Sequence, residues 1–490
     1  PIMPMTGTVE LIIEAAAALI PELVVVEVRS VRALRPLVAA PATALTIEAT
    51  EQPTKDPAGR TLVSVVLDGT TTGPNGKATP SEHYARATVV LAEAYPAPPA
   101  LPDPPLTGER PSQVDAEALY RDRWMFHGPA FRGVEKFTAI ADDGVRGRLC
   151  TLEAPGSLLD AAGQLLGYWV AVQPENAVAL PVTIDSIAFF GPPVVAGTCF
   201  DSVVRIRSVD ATEITADLEM RDDDGVLWCH TTGWTDRRLE GNTKTLAAFR
   251  FPARSLLTEA QPGGWHLLTE PWTDPVARDV ARRQYLAESE EAEHSTRNPR
   301  AARHWFLGRV AAKDAVRAHL WANGAGPIFQ AEIQISNDPS GAPRVAGPGT
   351  DGLHLSLAHS GLLAVAIVGT DGPVGIDVEQ ISDVPAESAL LTPAERELLE
   401  TLAPAAGDPA LRAAWVTRFW TAKEAVAKAA GTGLGGRPAR FVVTRVDSDR
   451  LLVVTGGVGR WVTTTTGEFP VPYAVGWTQE PDIAGPDLGH

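Results

Sequence analysis

Phe419–Gly435, FWTAKEAVAKAAGTGLG, is an alanine-rich stretch with the spacing of a helix that ends in glycines. At 3.6 residues per turn, Trp420, Glu424 and Lys428 lie along one stripe of that helix, and Lys423 lies beside the stripe. A solvated helix would gain only about 0.3–0.5 kcal/mol from an ion pair at i,i+4, and the tryptophan and glycines would stay unexplained. The stripe therefore predicts a site whose other residues lie elsewhere in the chain.

An earlier segment repeats this helix. RVAAKDAVRAHL, from Arg309, matches FWTAKEAVAKAA, from Phe419, and each follows an acidic helical segment. Short strands rich in Val, Ile and Leu accompany both helices, a pattern typical of an α+β unit. We therefore expect residues 256–480 to form a domain of two pseudo-repeats, 256–370 and 371–480, packed about a pseudo-twofold axis. A cleft between two such halves is a common place for a ligand.

The segment Val374–Ile381, VGIDVEQI, predicts a strand that carries two acids. Because side chains alternate along a strand, Asp377 and Glu379 share one face. Neighbouring carboxylates repel unless a cation lies between them, and a hard divalent ion such as Mg²⁺, shared with phosphate, meets that need. A solvated strand edge is the alternative, although charged pairs are depleted from strands. Glu424 could supply a third carboxylate, or the base that deprotonates a nucleophile.

Several basic side chains could hold the anionic groups of a substrate at such a metal site. Lys423 and Lys428 lie on the later helix, and Arg309 and Lys313 lie four residues apart on the earlier helix. Arg344 follows SGAP, and His359 lies near the end of the strand LSLAHSG. Surface solvation accounts equally well for each arginine or lysine of the earlier half taken singly, and a histidine at a strand end is more often structural. The candidates are Lys423, Lys428, Arg309, Lys313, Arg344 and His359.

Residues 1–240 also divide into two similar parts. A proline-rich tether at residues 96–111 separates residues 1–95 from residues 112–240. Each part combines one long predicted helix with several strands rich in Val, Leu and Thr, which predicts a sheet wrapped around its helix. The remaining expected segments are a linker at residues 241–255 and a tail at residues 481–490.

The second of these helices, Leu158–Trp169, carries two polar residues on an apolar background. Asp160 and Gln164 are four residues apart and therefore share one face. An acid in an apolar place is costly unless it is paired or works as a catalyst, so this pair predicts a site. A helix cap by Asp160 is the alternative. His127 and His83 lie in no supporting pattern and are assigned no role.

The composition is that of an ordinary soluble globular protein. The 490-residue chain is 44% hydrophobic and 21% charged, with a formal net charge of -18. This surplus of acid argues against nucleic acid as a partner, because backbone binding needs clustered cations. The apolar opening contains Glu10, Glu14 and Pro21 and lacks a basic leading region, so it predicts neither a signal peptide nor a membrane span. A proline at position 1 suggests that the chain was cut from a longer polypeptide.

The three cysteines predict no covalent framework. Cys150, Cys199 and Cys229 form no CxxC pair and no Cys/His metal spacing, and an odd number argues against a disulfide framework. A reducing, cytoplasmic location is therefore expected.

GIDVE, WTAKEAVAK, LAHS and GRVAAKDAVR together resemble the motifs of the 4′-phosphopantetheinyl transferase superfamily, in its pseudodimeric, double-length form. The resemblance covers about Leu256–Gln479. It implies that phosphopantetheine is transferred from coenzyme A to the serine of an acyl carrier protein, with release of adenosine 3′,5′-bisphosphate. Attack by a neutral serine on phosphorus needs charge neutralisation, alignment and a base, and these motifs carry the acids and cations for all three.

The resemblance also implies a role for each motif residue. Asp377, Glu379 and Glu424 match the Mg²⁺ site, and Glu424 is also the expected base for the carrier serine. Lys428 matches a lysine that binds the pyrophosphate, and His359 matches a histidine that contacts the coenzyme phosphates. The other candidates, in support of the site or at the nucleotide phosphates, are Lys423, Arg309, Lys313 and Arg344.

The helix Leu158–Trp169, with FHGPAFRGV before it and ALPVTIDSIAFFG after it, resembles the dehydratase domains of polyketide and polyunsaturated fatty acid synthases, which are double hotdog folds. Across Pro1–Arg238, this resemblance implies removal of water from a 3-hydroxyacyl thioester by a histidine and an aspartate. Asp160 matches the acid, and Gln164 matches the residue that supports it. The histidine would precede PIMPMTGTVELI, so dehydration is expected of the parent polypeptide rather than of the chain as written. His127 lies where relatives often have tyrosine.

A dehydratase followed by a transferase resembles the carboxy-terminal end of the iterative polyketide synthases that build enediyne polyene precursors. The expected fold class is α+β, a double hotdog dehydratase-like domain followed by a pseudodimeric phosphopantetheinyl transferase fold. The expected partners are coenzyme A and an acyl carrier protein domain, in cis or in trans, and hotdog domains often pair as homodimers. The alternatives are a noncatalytic carrier-docking scaffold and a chain whose main activity is dehydration.

Overall fold

The computed structural model describes residues 2–37, 43–71, 81–173, 178–239, 243–381, 387–479 and 483–484. The chain forms two compact units, Pro1–Leu246 and Ala247–His490, which we call unit 1 and unit 2. None of the described helices is both long enough and apolar enough to cross a lipid bilayer.

Unit 1 is built on one antiparallel sheet of ten strands. Its helices are α1 (Met5–Leu19), α2 (Ala116–Arg121) and α3 (Ser157–Ala171). Its strands are β1 (Val24–Ala33), β2 (Thr43–Glu51), β3 (Thr61–Thr71), β4 (Glu82–Ala92), β5 (Val134–Ala141), β6 (Gly144–Cys150), β7 (Val178–Phe189), β8 (Cys199–Val209), β9 (Glu213–Arg221) and β10 (Leu227–Leu239). The strand order is β2-β3-β4-β1-β7-β10-β9-β8-β6-β5, so β1 and β7 join the two halves of the sheet.

Each half of unit 1 packs one long helix against its own strands. Helix α1 contacts β1–β4, and α3 contacts β5–β8. Val9, Ile12 and Ala16 of α1 are buried at helical spacing, whereas α3 is buried along nearly its whole length. A helix that is apolar on all sides belongs in the core. The predicted α+β architecture therefore forms, with α3 and its polar pair inside it.

Two of the three cysteines pair across neighbouring strands. Cys150 at the end of β6 lies in register with Cys199 at the start of β8, and the two form a disulfide. The expectation of no disulfide is therefore wrong. The chain separation of 49 residues hides the pairing, because only the strand order brings β6 beside β8. Cys229 is buried and free.

The described residues of unit 2 form three antiparallel sheets. Its helices are α5 (Pro275–Tyr285), α6 (Glu288–Ser295), α7 (Pro299–Ala322), α8 (Glu387–Leu390), α9 (Pro393–Leu402) and α10 (Pro409–Ala429), and α4 (Thr243–Arg250) leads into the unit from the segment predicted as a linker. Its strands are β11 (Glu259–Ala260), β12 (Trp265–Thr269), β13 (Gln334–Asn337), β14 (Pro343–Ala346), β15 (His354–Ser360), β16 (Leu363–Gly369), β17 (Gly375–Gln380), β18 (Val442–Asp447), β19 (Arg450–Thr455), β20 (Val458–Gly467), β21 (Tyr473–Thr478) and β22 (Ile483–Ala484).

The two halves of unit 2 repeat one plan. Helix α7 contacts β12, β15 and β16, and helix α10 contacts β17, β20 and β21. The halves meet at β15 and β17, where the N–H of Ile376 donates to Ser356 Oγ at 3.1 Å. The strand that carries His359 therefore lies beside the strand that carries Asp377.

Candidate active sites

Helix α10 crosses its sheet at very short range. Asp408 caps its start by accepting from the N–H of Ala410, and proline follows the cap. A Cβ at Gly375 of β17 would overlap the carbonyl oxygen of Ala425, and one at Gly476 would lie 3.0 Å from the Thr421 carbonyl carbon. Glycine is therefore needed at position 375, and position 476 leaves little room for a side chain. This close crossing brings the acids of β17 next to those of α10.

Asp377 is buried, and only one of its two carboxylate oxygens has a hydrogen-bond partner among the described residues. Its Oδ1 accepts from Lys428 Nζ at 2.7 Å, whereas its Oδ2 is buried without a hydrogen-bond partner among the described residues. Burial raises the pKa of Asp377, and the Lys428 charge opposes that rise. An unpartnered buried carboxylate oxygen is costly, and a bound cation would satisfy it.

Glu379 and Glu424 complete an acidic cluster. Glu379 accepts from Ser360 Oγ at 3.0 Å and from Trp420 Nε1 at 3.3 Å. Burial and the charge of Asp377 raise the pKa of Glu379 to about 7, and the same two causes raise the pKa of Glu424. Trp420 therefore orients an acid of the strand.

The donor set of this cluster fits a hard divalent cation. The charge of Asp377 raises the pKa values of Glu379 and Glu424. Such a group of carboxylates favours a shared positive charge, and Mg²⁺ prefers oxygen ligands. Within the described ranges, the carboxylate oxygens of Asp377, Glu379 and Glu424 do not all lie within 4.8 Å of one another. The three acids of unit 2 are thus close enough to interact, but they do not form a closed cage.

The internal repeat shows which copy carries the site. Asp314 of α7 corresponds in sequence to Glu424 of α10, but it is fully buried. It accepts from the N–H groups of Leu257 and Thr258 at 2.7 and 3.1 Å, and from Tyr285. Structural hydrogen bonds therefore occupy the carboxylate of Asp314 in the first copy, whereas Glu424 of the second copy lies in the acidic cluster.

Lys313 and Lys423 occupy equivalent buried positions rather than the acidic cluster. Lys423 Nζ lies 2.8 Å from Glu395, and Lys313 pairs with Glu290. The expectation that both bind coenzyme phosphates therefore finds no support in their placement. Helical spacing showed that Lys423 lies beside the Glu424 stripe, but it could not show that this side faces the core.

The remaining predicted cations are His359, Arg309 and Arg344. The imidazole of His359 lies 5.6 Å from that of His304, and desolvation, His304 and Lys428 lower the pKa of His359 to about 4. Arg309 is buried over the ring of Trp305 at 4.4 Å. Arg344 is the exception, because it lies on the β13–β14 hairpin in an exposed pair with Asp338.

A second cluster surrounds Asp160 of α3 in unit 1. Its Oδ1 accepts from Thr6 Oγ1 of α1 at 3.1 Å, and its Oδ2 accepts from Gln164 Nε2 at 2.7 Å. Tyr120 in turn donates to Gln164 Oε1 at 2.7 Å. Asp160 does not cap the helix, because Gly156 holds the cap position. Both halves of the unit therefore contribute to the orientation of this acid.

His127 joins this cluster, although its sequence context gave no reason to assign it a role. Its Nε2 lies 3.3 Å from Asp160 Oδ2, and its Nδ1 is buried without a partner among the described residues. Burial lowers the pKa of His127 and raises that of Asp160. By contrast, His83 is exposed and lies beside Asp68. The sequence FHGP around His127 is the signal that could have indicated a role for this histidine. Relatives often have tyrosine at this position, so the sequence analysis assigns His127 no role.

Comparisons with known proteins match one part of the chain to each of two enzyme families. Residues 373–470 match the family model of the 4′-phosphopantetheinyl transferase superfamily, and residues 97–245 match that of the polyketide synthase dehydratase N-terminal domain. The chain therefore carries a domain of each of these two enzyme families. The predicted fold class, a double hotdog dehydratase-like domain followed by a phosphopantetheinyl transferase fold, is confirmed.

Solved structures of dehydratase domains are also similar to part of the chain. The dehydratase domain of RzxB from Pseudomonas fluorescens has 17% identity over 48% of this chain and 85% of its own, with a TM-score of 0.37. That of PpsC from Mycobacterium tuberculosis has 18% identity over 49% and 85%, with a TM-score of 0.37. A monomeric dehydratase domain from a trans-AT polyketide synthase split module has 13% identity over 49% and 90%, with a TM-score of 0.39. The search of curated proteins found no match.

Proposed function

We propose that unit 2 transfers 4′-phosphopantetheine from coenzyme A to the serine of an acyl carrier protein, beside a dehydratase domain that acts on 3-hydroxyacyl thioesters. The half-satisfied carboxylate of Asp377 carries this proposal. It lies between a lysine and two acids with raised pKa values. A structural ion pair would need one partner for Asp377 and no further acids beside it.

Each group of the cluster has a chemical task in this transfer. Asp377, Glu379 and Glu424 would hold Mg²⁺, which when bound supplies positive charge to the diphosphate of coenzyme A. Lys428 would hold a diphosphate oxygen. His359, neutral at pH 7 because its pKa is lowered to about 4, would donate a hydrogen bond to a coenzyme phosphate.

Glu424 is the proposed base. In the metal-free protein, burial and the charge of Asp377 raise the pKa of Glu424, so its carboxylate accepts a proton more readily than an exposed one. The serine Oγ forms a bond to the phosphorus that bears pantetheine, and the bond from that phosphorus to the bridging oxygen breaks. The serine proton passes to Glu424, and adenosine 3′,5′-bisphosphate leaves with the bridging oxygen.

Mass spectrometry tests the transfer directly. We expect an apo carrier domain incubated with the chain, coenzyme A and Mg²⁺ to gain the phosphopantetheine arm. Asp377→Ala and Glu424→Ala should abolish this gain, whereas Glu397→Ala, at an exposed acid of α9, should not. Full activity of either cluster variant in folded protein would refute the assignment. A noncatalytic docking module would show no coenzyme A turnover, with or without Mg²⁺.

For unit 1, we assign acid catalysis to Asp160 and a supporting role to Gln164. The contacts from Thr6, Gln164 and His127 favour this assignment, because they hold the carboxyl group in one orientation. Dehydration transfers the α-proton of a 3-hydroxyacyl thioester to a catalytic histidine as base, the C–O bond at the β-carbon breaks, and Asp160 would protonate the departing oxygen so that it leaves as water. In a protein that contains unit 1 together with the catalytic histidine, Asp160→Asn should abolish formation of the 2-enoyl product, which ultraviolet absorbance follows.

The order of the two domains supports a more specific setting. A dehydratase followed by a transferase fits the carboxy-terminal part of an iterative polyketide synthase of the enediyne polyene type. There the transferase would act on a carrier domain of the same synthase, in cis or between the chains of a homodimer, in the cytoplasm. Size-exclusion chromatography with light scattering measures the oligomeric state.

A further inference from the structure

Cys150, Cys199 and Glu135 lie together on the outer face of the sheet of unit 1. One donor atom from each side chain, two sulfurs and a carboxylate oxygen, lies within 4.8 Å of the other two. A Cβ at Gly147 of β6 would contact Leu165 of α3, so position 147 faces the core. Because side chains alternate along a strand, position 150 faces the other way. The cysteines are half-buried and Glu135 is exposed, so the three donors are accessible from solvent.

A β-bulge places Glu135 beside the two cysteines. The pairing of β5 with β6 shifts by one residue between Val134 and Lys136, which makes Glu135 the extra residue of the bulge. Its Oε2 lies 3.7 Å from Cys150 Sγ. Bulges change the direction of a side chain and are common next to functional sites. The carboxylate therefore joins the sulfurs through an interruption of the regular ladder.

Arg148 balances the charge of this group. It lies two residues before Cys150 and hence on the same face of β6, and its Nε is 3.2 Å from Glu135 Oε2. The same guanidinium also pairs with Asp201 and Asp223, so it keeps two acidic partners when Glu135 turns to another cation. Two thiolates and one carboxylate carry three negative charges. A divalent ion together with Arg148 offsets all three.

The two sulfurs can reach one metal ion once their bond is reduced. Cys150 and Cys199 are paired residues of neighbouring strands, and their Cα atoms are 4.0 Å apart. In a tetrahedral zinc site, Zn–S bonds of about 2.3 Å place two sulfurs about 3.8 Å apart. Rotation of the two side chains between staggered rotamers spans that distance. The strands therefore need not separate to form the site.

We propose that the reduced form of unit 1 binds Zn²⁺ through Cys150, Cys199 and Glu135, with water in the fourth position. Thiolates suit zinc and copper(I), and the carboxylate ligand favours zinc of these two. The ion links β5 to the paired strands β6 and β8. This site is independent of the proposed transferase and dehydratase functions.

Zinc binding and the disulfide exclude each other, because both use the same two sulfurs. A small thiol such as glutathione reduces the bond in two exchange steps. The first thiolate attacks one sulfur, forms a mixed disulfide and frees one cysteine thiolate. The second attacks the mixed disulfide, frees the other cysteine and leaves as oxidised glutathione. Zinc then binds both thiolates, and their protons pass to solvent. Exchange with oxidised glutathione reverses these steps and releases the ion.

Cobalt titration tests the site through its sulfur ligands. A thiolate bound to Co²⁺ gives a charge-transfer absorption in the near ultraviolet, which oxygen and nitrogen ligands do not give. The wild-type chain is reduced with a phosphine, freed of reductant and titrated with Co²⁺ in the absence of oxygen. We expect one equivalent to produce the band, and Zn²⁺ or oxidised glutathione to remove it. The disulfide form of the same chain should give no band, and this comparison needs no substitution.

Variants identify the ligands. Cys150→Ser/Cys199→Ser should lose the band, whereas Cys229→Ala, at the buried free cysteine, should keep it. Glu135→Gln should weaken Co²⁺ binding about tenfold or more, since loss of a ligand costs at least as much as loss of a group that orients one. Glu213→Gln, at an exposed acid of β9, is the matched control and should bind as the wild type does. Circular dichroism establishes that each variant is folded.

Three results would overturn the proposal. The first is a reduced wild-type chain that gives no band with Co²⁺. The second is a band that survives in Cys150→Ser/Cys199→Ser, since the sulfur ligand would then be Cys229. The third is wild-type affinity in Glu135→Gln, which would remove the carboxylate from the ligand set.

Discussion

Lys423 Nζ lies 2.8 Å from Glu395 Oε1 in a fully buried ion pair, and the pair has a counterpart in Lys313 and Glu290. Each glutamate also accepts a strand N–H, from Val443 at 2.8 Å or from Ile335 at 3.0 Å. Each lysine therefore connects its long helix to a capping turn and to a strand. This shared device explains why the two helices have lysine at matching positions, without any contact to a substrate.

We predict that Lys423→Met and Lys313→Met each lower the free energy of unfolding of unit 2 by about 3–5 kcal/mol, because each leaves a buried glutamate unpaired. Denaturant unfolding followed by tryptophan fluorescence measures the change. Lys423→Met/Glu395→Leu should recover most of the loss, since an apolar pair replaces the ionic one. If Lys423→Met leaves the stability normal and only raises the KM for coenzyme A, Lys423 binds a coenzyme phosphate as the sequence predicted.

Mg²⁺ should stabilise unit 2 through Asp377. An ion that binds only the folded state adds about 2.7 kcal/mol to the free energy of unfolding at 100 times its Kd. We therefore expect Mg²⁺ to raise the unfolding midpoint at pH 8 in the wild type. Asp377→Asn, which keeps the shape of the side chain but removes its charge, should lose this response. An equal rise in both proteins would place the ion elsewhere.

The metal-free protein should lose stability as Glu379 ionises. The pKa of Glu379 rises from its usual 4.5 to about 7, because burial and Asp377 disfavour the charged form. The folded state therefore holds this proton more tightly than the unfolded chain does. The contribution is fully present below about pH 4.5 and is lost as the pH rises through about 7. In EDTA, Glu379→Gln should show a shallower decline over this range, and an unchanged slope would contradict the assignment.

His127 should matter to the chemistry of unit 1 through its contact with Asp160. We predict that, in a protein that contains unit 1 together with the catalytic histidine, His127→Phe lowers the kcat for dehydration of a 3-hydroxyacyl pantetheine thioester by about 10²-fold, as expected when a group that supports proton transfer is lost. The pH profile of the remaining activity should shift, because Asp160 loses the neighbouring imidazole. His83→Phe, at an exposed position of β4, is the control and should leave rate and profile unchanged. A His127→Phe protein with the wild-type profile would make the contact structural only.

The crossing of α10 and β17 should tolerate no side chain at Gly375. Gly375→Ala would place a methyl group into the carbonyl oxygen of Ala425, so the helix must move away from Asp377. We predict a large loss of transferase activity and a lower thermal midpoint. Gly476→Ala meets the helix at 3.0 Å and should have the smaller effect on both. Equal, minor effects would show that this crossing does not position the acids.

Local sequence patterns were sufficient to predict relations between residues of the same helix or strand. Strand alternation predicted that Asp377 and Glu379 point the same way, and helical spacing predicted the pair of Asp160 and Gln164, which bond at 2.7 Å. The repeated helix predicted two halves of one plan in unit 2. Each of these relations depends on backbone geometry within a few residues, and backbone geometry is set by local sequence.

Relations between distant residues depended on the assembled fold. His127 reaches Asp160 only because helix α3 is enclosed by its sheet, and Cys150 meets Cys199 only because β6 pairs with β8. Lys423 forms a buried ion pair whereas its neighbour Glu424 belongs to the acidic cluster, because the packing of α10 buries one side of the helix. The amino-acid sequence by itself determined the two families, their order and the acids of both clusters. Tertiary structure alone decided which cations reach those acids, because burial and long-range contact arise only when separate elements pack together.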